Sequence, residues 1–209
     1  MENGHFIVFE GGEGSGKSRH SSAVTQRLRD AGHEVIHTHE PGGSTVCEMI
    51  RNVLLADSEE AVVPRAELLL FVADRAQHVE SVIKPALEAG KIVICDRFSG
   101  STFAYQIGGR QLPESDLIIA MDAYARNGVD PDLVLFLDID PEIGLRRRQD
   151  DDKELNRLDL EELAFHQRVR DYFLQLADTN EQWVVQSTDG PKEANENILY
   201  SIVTDRLGL

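Results

Sequence analysis

The feature that most limits what this chain can become is the string Gly11-Gly12-Glu13-Gly14-Ser15-Gly16-Lys17-Ser18. Its spacing of glycine, four residues, glycine, lysine and serine is that of a phosphate-binding loop. Such a loop works only between a buried strand and the first turn of a helix, and the sequence supplies both flanks. Before it stands the unbroken apolar run Phe6-Ile7-Val8-Phe9, suited to a central parallel strand covered on both faces. After it a helical pattern opens near Lys17 and carries Ala23, Val24 and Leu28, with Gly32 as its stop signal. The glycines let backbone N–H groups turn inward as an anion-binding nest, and the new helix adds its positive end. In this setting Lys17 reaches the β- and γ-phosphates of a nucleotide, and the Ser18 hydroxyl holds Mg²⁺.

The bulk numbers fix the scale around that loop. A chain of 209 residues with 41% hydrophobic content is expected to form one α/β domain spanning 1–209. No basic segment precedes an apolar one at the start, and the apolar runs are only strand-length, so a cytoplasmic protein without a membrane partner is expected. The two cysteines, Cys47 and Cys95, fall in helical and strand-like stretches and are read as buried free thiols. A formal charge of −16 repels nucleic acid, so none is expected as a partner. A small anion can still bind in a local basic pocket, which makes the position of each arginine matter more than their number.

In chain order, Val35 and Ile36 start a second strand that ends at Glu40-Pro41-Gly42-Gly43, and a helix through Met49, Ile50, Val53 and Leu54 follows with Arg51 on another side. Pro64 can open the next helix at its first position. Its apolar stripe Leu68, Leu69, Val72, Ala76 and Val79 reads as core, and Phe71, Arg75 and His78 share the adjacent face. Helix geometry alone reads Phe71 as a core-edge ring and Arg75 as solvated, although the pair could also sandwich and hydrogen-bond a base. Lys91-Ile92-Val93-Ile94-Cys95 reads as a buried strand ending in Asp96-Arg97. In an open parallel sheet the carboxyl ends of strands line the ligand crevice, so Glu13, Glu40, Asp96 and Arg97 should gather near the phosphates. A helix from Ser99 presents Ser101, Thr102, Tyr105 and Gln106 at the rim, Gly108-Gly109-Arg110 breaks it, and another helix runs around 118–126. Leu133-Val134-Leu135-Phe136-Leu137-Asp138 is the clearest strand. A short helix after Pro141 carries Arg146-Arg147-Arg148, a long helix reaches about Ala177, and Trp183-Val184-Val185 with a terminal helix from near Pro191 completes the pattern. Alternation of strand and helix gives a parallel sheet with helices on both faces. The arginine-rich stretch at about 146–158 is the expected lid, and Asp150-Asp151-Asp152 within it reads as a solvated loop.

Taken together, the loop with its strand, Glu40-Pro41-Gly42-Gly43, Phe71 with Arg75, Asp96-Arg97-Phe98 through Ala104-Tyr105-Gln106, and the arginines from Arg146 to Arg157 resemble thymidylate kinase. The resemblance covers nearly the whole chain and implies the P-loop kinase fold, a three-layer α/β/α domain with a five-stranded parallel sheet and a mobile helical lid. It implies a homodimer that makes dTDP from dTMP and ATP, with Mg²⁺, in dTTP biosynthesis. Gly11, Gly12, Glu13, Gly14, Ser15, Gly16, Lys17 and Ser18 then correspond to the ATP-binding residues. The acceptor dTMP corresponds to Glu13, Glu40, Pro41, Arg51, Phe71, Arg75, Arg97, Ser101, Tyr105 and Gln106. Within that set Phe71 would stack on thymine and Arg75 would hydrogen-bond it, which reverses the solvated reading of Arg75. Arg97 and Arg51 would clamp the dTMP phosphate, Ser101 and Gln106 would touch base or sugar, and Tyr105 would disfavour a ribose 2′-hydroxyl. The Glu40-Pro41 bond resembles one that is cis in relatives. With no arginine in the phosphate loop, the lid must supply the catalytic one, as in the bacterial kind. The order of preference is Arg147, Arg148, then Arg157, beside Lys17 and Arg97. Phe98 stands where Tyr or His is commoner, Asp150-Asp151-Asp152 where relatives often carry arginines, and Asn156 where Asp is usual.

Two other readings follow from the same residues. Another P-loop kinase could serve a different acceptor; a nucleoside would need a carboxylate base, for which Glu10, Glu13 and Asp96 are candidates. A nucleotide-dependent switch or binding module would need loops that respond to the γ-phosphate, and the chain has no Asn-Lys-x-Asp guanine-reading motif.

Overall fold

The structure is a computed structural model that describes residues 4–56, 60–151 and 155–209. Its five strands are β1 (Phe6–Glu10), β2 (Val35–His39), β3 (Ile92–Asp96), β4 (Leu133–Asp138) and β5 (Trp183–Ser187). They form one all-parallel sheet in the order β2-β3-β1-β4-β5, as expected. Because β1 sits in the middle, every one of its residues is buried. The pleat sends its side chains to opposite faces. Ile7 and Phe9 pack with Val24 and Leu28 of α1 (Lys17–Asp30) and with Leu199 and Val203 of the terminal helix, Lys192–Leu207. Phe6 and Val8 pack against Val79, Ile83 and Phe98 on the other face. A third cluster joins Phe136 of β4 to Phe165, Val169 and Phe173 of the helix Leu163–Thr179. This is the three-layer α/β/α arrangement.

The register sets Phe9 level with both Asp96 and Leu135, so β1 and β3 end together. The chain leaves β1 toward β2 and leaves β3 toward β4, on opposite sides of the sheet centre. Ligands of such sheets bind at the crevice this divergence opens.

Two expectations about local structure need correction. In α3 (Pro64–His78) Leu69 is 56% exposed instead of core, and the inward face is largely polar, with Glu67, Asp74, Arg75 and His78 buried beside Leu68. The helical period is right but its inward phase is rotated, because Arg75 meets carboxylates from Glu40 and Asp122 that offset its desolvation. Second, the rim helix is α-helical only over Ser99–Thr102 and then widens to a π-helical segment, Phe103–Gly109. The wider turn buries both Tyr105 and Gln106.

Among the described residues the other helices are α2 (Thr45–Leu55), a π-helical segment Val79–Ile83 that continues α3 into α4 (Lys84–Glu88), α6 (Ser115–Arg126) and α7 (Pro141–Gln149); Ser99–Thr102, Leu163–Thr179 and Lys192–Leu207 are α5, α8 and α9. Cys47 and Cys95 are free buried thiols, as read. Among the described residues no helix is long and apolar enough to cross a membrane. Of the expected lid and its acidic loop, Asp150 and Asp151 are exposed, and residues 152–154 lie outside the described residues.

Candidate active site

The phosphate loop turns on Gly16, which takes φ 83° as the cap of α1, a conformation open to glycine at no steric cost. Lys17 folds back over the loop, its Nζ donating to the carbonyls of Gly11 at 2.9 Å and Gly12 at 2.7 Å. Burial, and then the charge of Arg97, push its ammonium down to about 8 despite Glu13, Asp96 and Glu10 nearby. The loop is backed by α7. A Cβ on Gly14 would sit 1.9 Å from the Gly144 carbonyl oxygen, and one on Gly144 would sit 2.3 Å from that of Glu13. Gly144 is thus a loop-supporting residue that the sequence analysis missed.

Arg97 joins the loop to the rim helix. Its own backbone is in the left-handed region at φ 69°, held there by its N–H donating to Phe9 O at 2.9 Å. Nη1 donates to Gly11 O at 3.1 Å and Ser101 Oγ at 3.2 Å, and Nη2 to Glu13 Oε1 at 2.7 Å. Tyr105 Oη donates to the same Glu13 oxygen at 2.6 Å. Burial alone would raise Glu13, but Arg97, Lys17 and Tyr105 hold its carboxyl down at about 2. Glu10, fully buried, accepts from Phe98 N, Ser101 N and Ser101 Oγ at 3.0, 2.9 and 2.6 Å, which ties down the first turn after β3. Burial raises its carboxyl above the ordinary value.

A second group of residues shapes the other end of the cleft. Glu40-Pro41 is cis, and Pro41 O accepts from Arg51 Nη1 at 2.6 Å. Glu40 itself turns under the floor, accepting from Arg75 Nε and Nη2 and facing His78 Nδ1 at 3.0 Å. Arg75 Nη1 donates to Thr102 Oγ1 at 2.9 Å and Asp122 Oδ1 at 2.7 Å. Burial alone would lower this guanidinium, yet Glu40 and Asp122 hold it above the usual arginine value. Those bonds use four of its five N–H groups and leave one on Nη2. The guanidinium also lies 4.9 Å from the Phe98 ring, which packs edge-on against Phe6. The phenylalanine that departs from the family pattern therefore serves as core and as a platform for Arg75. Half-buried Phe71 and fully buried Gln106 line the same cleft.

One cleft of about 900 Å³ runs past both ends, lined by Gly14, Lys17, Arg51, Phe71, Arg75 and Arg97 among others. Gly11 and Gly12 do not line it and act through their carbonyls on Lys17 and Arg97. Arg147 lies at the loop end, its Nη1 donating to Thr188 O at 3.2 Å. Arg148 lines the cleft while pairing with buried Asp159 at 3.1 Å. Arg157 instead docks on Glu67 and Leu54 O, away from the lining. His20, Thr188, Lys192 and Asn195 also line the loop end. Thr188, Lys192 and Asn195 carry no sequence signal, because the segment after β5 reaches the site only through sheet topology, whereas His20 follows the loop on α1.

The donor set suits a small hard cation carried by phosphates. Asp96 Oδ1 is buried with no hydrogen-bond partner, at the end of β3 beside the loop. Burial would raise that carboxyl, but His37, Ser21 and Ser18 hold it below its ordinary value. Among the described residues no cluster of His, Cys, Asp or Glu would hold a metal by itself. Mg²⁺ bound through one or two protein oxygens, substrate phosphates and water fits this pattern.

Comparison with known proteins identifies the family. The family model for thymidylate kinase matches residues 9–198. A thymidylate kinase of Thermomicrobium roseum is 44% identical over 201 residues, covering 96% of this chain and 94% of the relative. That of Geobacter sulfurreducens is 42% identical over 213 residues and covers 98% of each. That of Trichlorobacter lovleyi is 48% identical over 177 residues, covering 82% and 83%. With the phosphate loop, the Arg97–Glu13 pair and the Arg75 pocket all present in one cleft, the chain belongs to the thymidylate kinase family.

Proposed function

We propose that this cleft transfers the γ-phosphoryl group of ATP to the phosphate of dTMP, giving dTDP and ADP for dTTP biosynthesis. The observation that carries the reading is that one continuous cleft joins the Lys17 loop to a floor of Phe71, Arg75 and Gln106, with Arg97 between them. A phosphate monoester is largely dianionic at neutral pH, since its second pKa is about 6, so it needs no general base. Two of the three candidate bases are engaged, Glu10 by Ser101 and Phe98 and Glu13 by Arg97 and Tyr105, while the third, Asp96, is given to Mg²⁺ in this reading. That favours a monophosphate acceptor over a nucleoside.

Lys17 and the loop N–H groups hold the β- and γ-phosphates. Arg97 and Arg51 hold the acceptor phosphate, Phe71 stacks on the base, and Arg75 donates its spare Nη2–H to a base carbonyl. Glu40 and Pro41 act through Arg75 and Arg51 in this reading. Tyr105 and Ser101 border the sugar, and Arg147, with Arg148 second, supplies lid charge to the transferring group. Ser18 and Asp96 would hold Mg²⁺, which when bound neutralises charge on the β- and γ-phosphates. The test is ADP release from Mg²⁺-ATP with dTMP, dUMP, UMP, AMP, CMP, GMP and thymidine offered singly. Fast turnover with dTMP, less with dUMP and near zero with thymidine is expected; preference for thymidine would overturn the reading.

The same reading includes a homodimer and a cytoplasmic location. Exposed apolar side chains recur on three helices packed side by side: Val46, Met49 and Val53 on α2, Leu69 on α3, and Leu117 and Tyr124 on α6. A second copy would cover such a face. Sedimentation velocity should give a dimer that Met49→Glu converts to a monomer; a monomeric wild type would sink this part. The reduced thiols Cys47 and Cys95 suit a reducing compartment.

A further inference from the structure

Glu67 lies on α3, 1% exposed, in a place where no reaction step needs a carboxylate. Its two oxygens are differently employed. Oε2 accepts from Arg157 Nη2 and from Arg110 Nη2 at 3.3 Å, whereas Oε1 accepts from Arg110 Nε at 3.2 Å and from Gln106 Nε2. Arg110 is itself braced by Glu161 at 2.5 Å. Guanidinium groups only donate, so both Glu67 oxygens act as acceptors.

That constraint settles a question which amide geometry alone leaves open, namely which end of Gln106 faces which way. An oxygen that already accepts from Arg110 can meet only the NH₂ end of Gln106. The amide oxygen must therefore face away from Glu67, and Gln106 Oε1 is indeed buried without a hydrogen-bond partner. Gln106 is wholly buried yet lines the cleft beside Phe71 and Arg75. Gln106 and Arg75 both line the cleft, so a base that fills it meets an acceptor at Gln106 Oε1 and the spare donor at Arg75 Nη2. This is the complement of an imide edge, a ring N–H beside a carbonyl. Cytosine carries the opposite pattern there, a bare ring nitrogen beside an amino group, and would leave both protein atoms unpaired.

We propose that Glu67 is a specificity-determining positioning residue: held by Arg110 and Arg157, it locks the Gln106 amide so that the cleft accepts an imide base and rejects cytosine. It touches no substrate and acts through Gln106. The inference rests on the reading of the cleft as a pyrimidine monophosphate site.

Glu67→Gln tests it. In that variant two guanidinium N–H groups still claim the Oε2 position, so the new amide keeps its oxygen there and turns its NH₂ toward Gln106. Gln106 then flips and presents a donor to the base. The readout is the ratio of kcat/KM for dTMP to that for dCMP, in which any loss of folded protein cancels. It should fall about 10-fold or more in Glu67→Gln, through a lower value for dTMP and a higher one for dCMP. In a Gln106→Leu background, where there is no amide to orient, adding Glu67→Gln should leave the ratio unchanged. A ratio that stays at the wild-type value in Glu67→Gln, while dTMP is still phosphorylated, overturns the role of Glu67 alone. A fall of the same size in the Gln106→Leu background overturns the relay through Gln106. Wild-type enzyme that ignored dTMP would overturn the underlying reading and this inference with it.

Discussion

Arg97 Nη2 lies 2.7 Å from Glu13 Oε1, and both side chains are more than four-fifths buried, so the phosphate loop and the end of β3 share one desolvated ion pair. Glu13 titrates at about 2 there, against 4.5 ordinarily. A depressed carboxylate contributes stability that is fully present above pH 4.5 and lost as pH falls toward 2. The amount is on the order of 3 kcal/mol. Urea unfolding of Glu13→Gln should show a flatter stability profile below pH 4.5 than wild type. Parallel profiles would contradict it.

Asp74 works in the opposite sense. Its Oδ1 accepts from Gly42 N at 3.0 Å, but burial and the nearby charge of Glu40 push the carboxyl from 3.8 up to about 7. A raised carboxyl makes the protein most stable below pH 3.8 and less so as pH rises through 7. Asp74→Asn keeps the acceptor for Gly42 and removes the charge. It should be more stable than wild type at pH 8 by on the order of 4 kcal/mol, and nearly equal to it near pH 4. Destabilisation at pH 8 would show that the charge is needed.

The floor of the acceptor pocket depends on Arg75, which bridges Glu40 and Asp122 in the interior. Arg75→Met leaves two buried carboxylates without their cation. The loss should be roughly 3–5 kcal/mol in chemical denaturation, well beyond an effect confined to substrate binding. A stable Arg75→Met protein with impaired turnover would assign Arg75 to the substrate alone.

Gly144 carries the support for the loop from behind. Gly144→Ala forces a methyl toward Glu13 O, so α7 or the loop must move. Expected are about 1–3 kcal/mol of destabilisation and a raised KM for ATP, with KM for dTMP nearly unchanged. Equal changes in both would argue against a local push on the loop.

Arg147→Ala should lower kcat by on the order of 10³ while leaving ATP affinity, measured by calorimetry, near wild type. Its bond to Thr188 O gives the contrary outcome a clear meaning. Normal kcat with weakened ATP binding would make Arg147 a holder of the donor, and Arg148→Ala would then be the next variant to assay.

The sequence alone determined the strand order of chemistry: a phosphate loop after β1, Asp96-Arg97 after β3, arginines after β4. Local patterns suffice for this, because glycine spacing, apolar runs and helix starts are written in neighbouring residues. It read Phe71 and Arg75 as partners on one helix face, but could not orient that face. Only the tertiary structure decided that Arg75 is 2% exposed, since its partners Glu40, Thr102 and Asp122 come from three distant segments. The same holds for Gly144 behind the loop, for the π-helical turn that buries Gln106, and for Glu67 beneath it. Each depends on which groups meet across the sheet's end, and the energy of a buried charge or a tight contact is set by those meetings, not by the residue's neighbours in the chain.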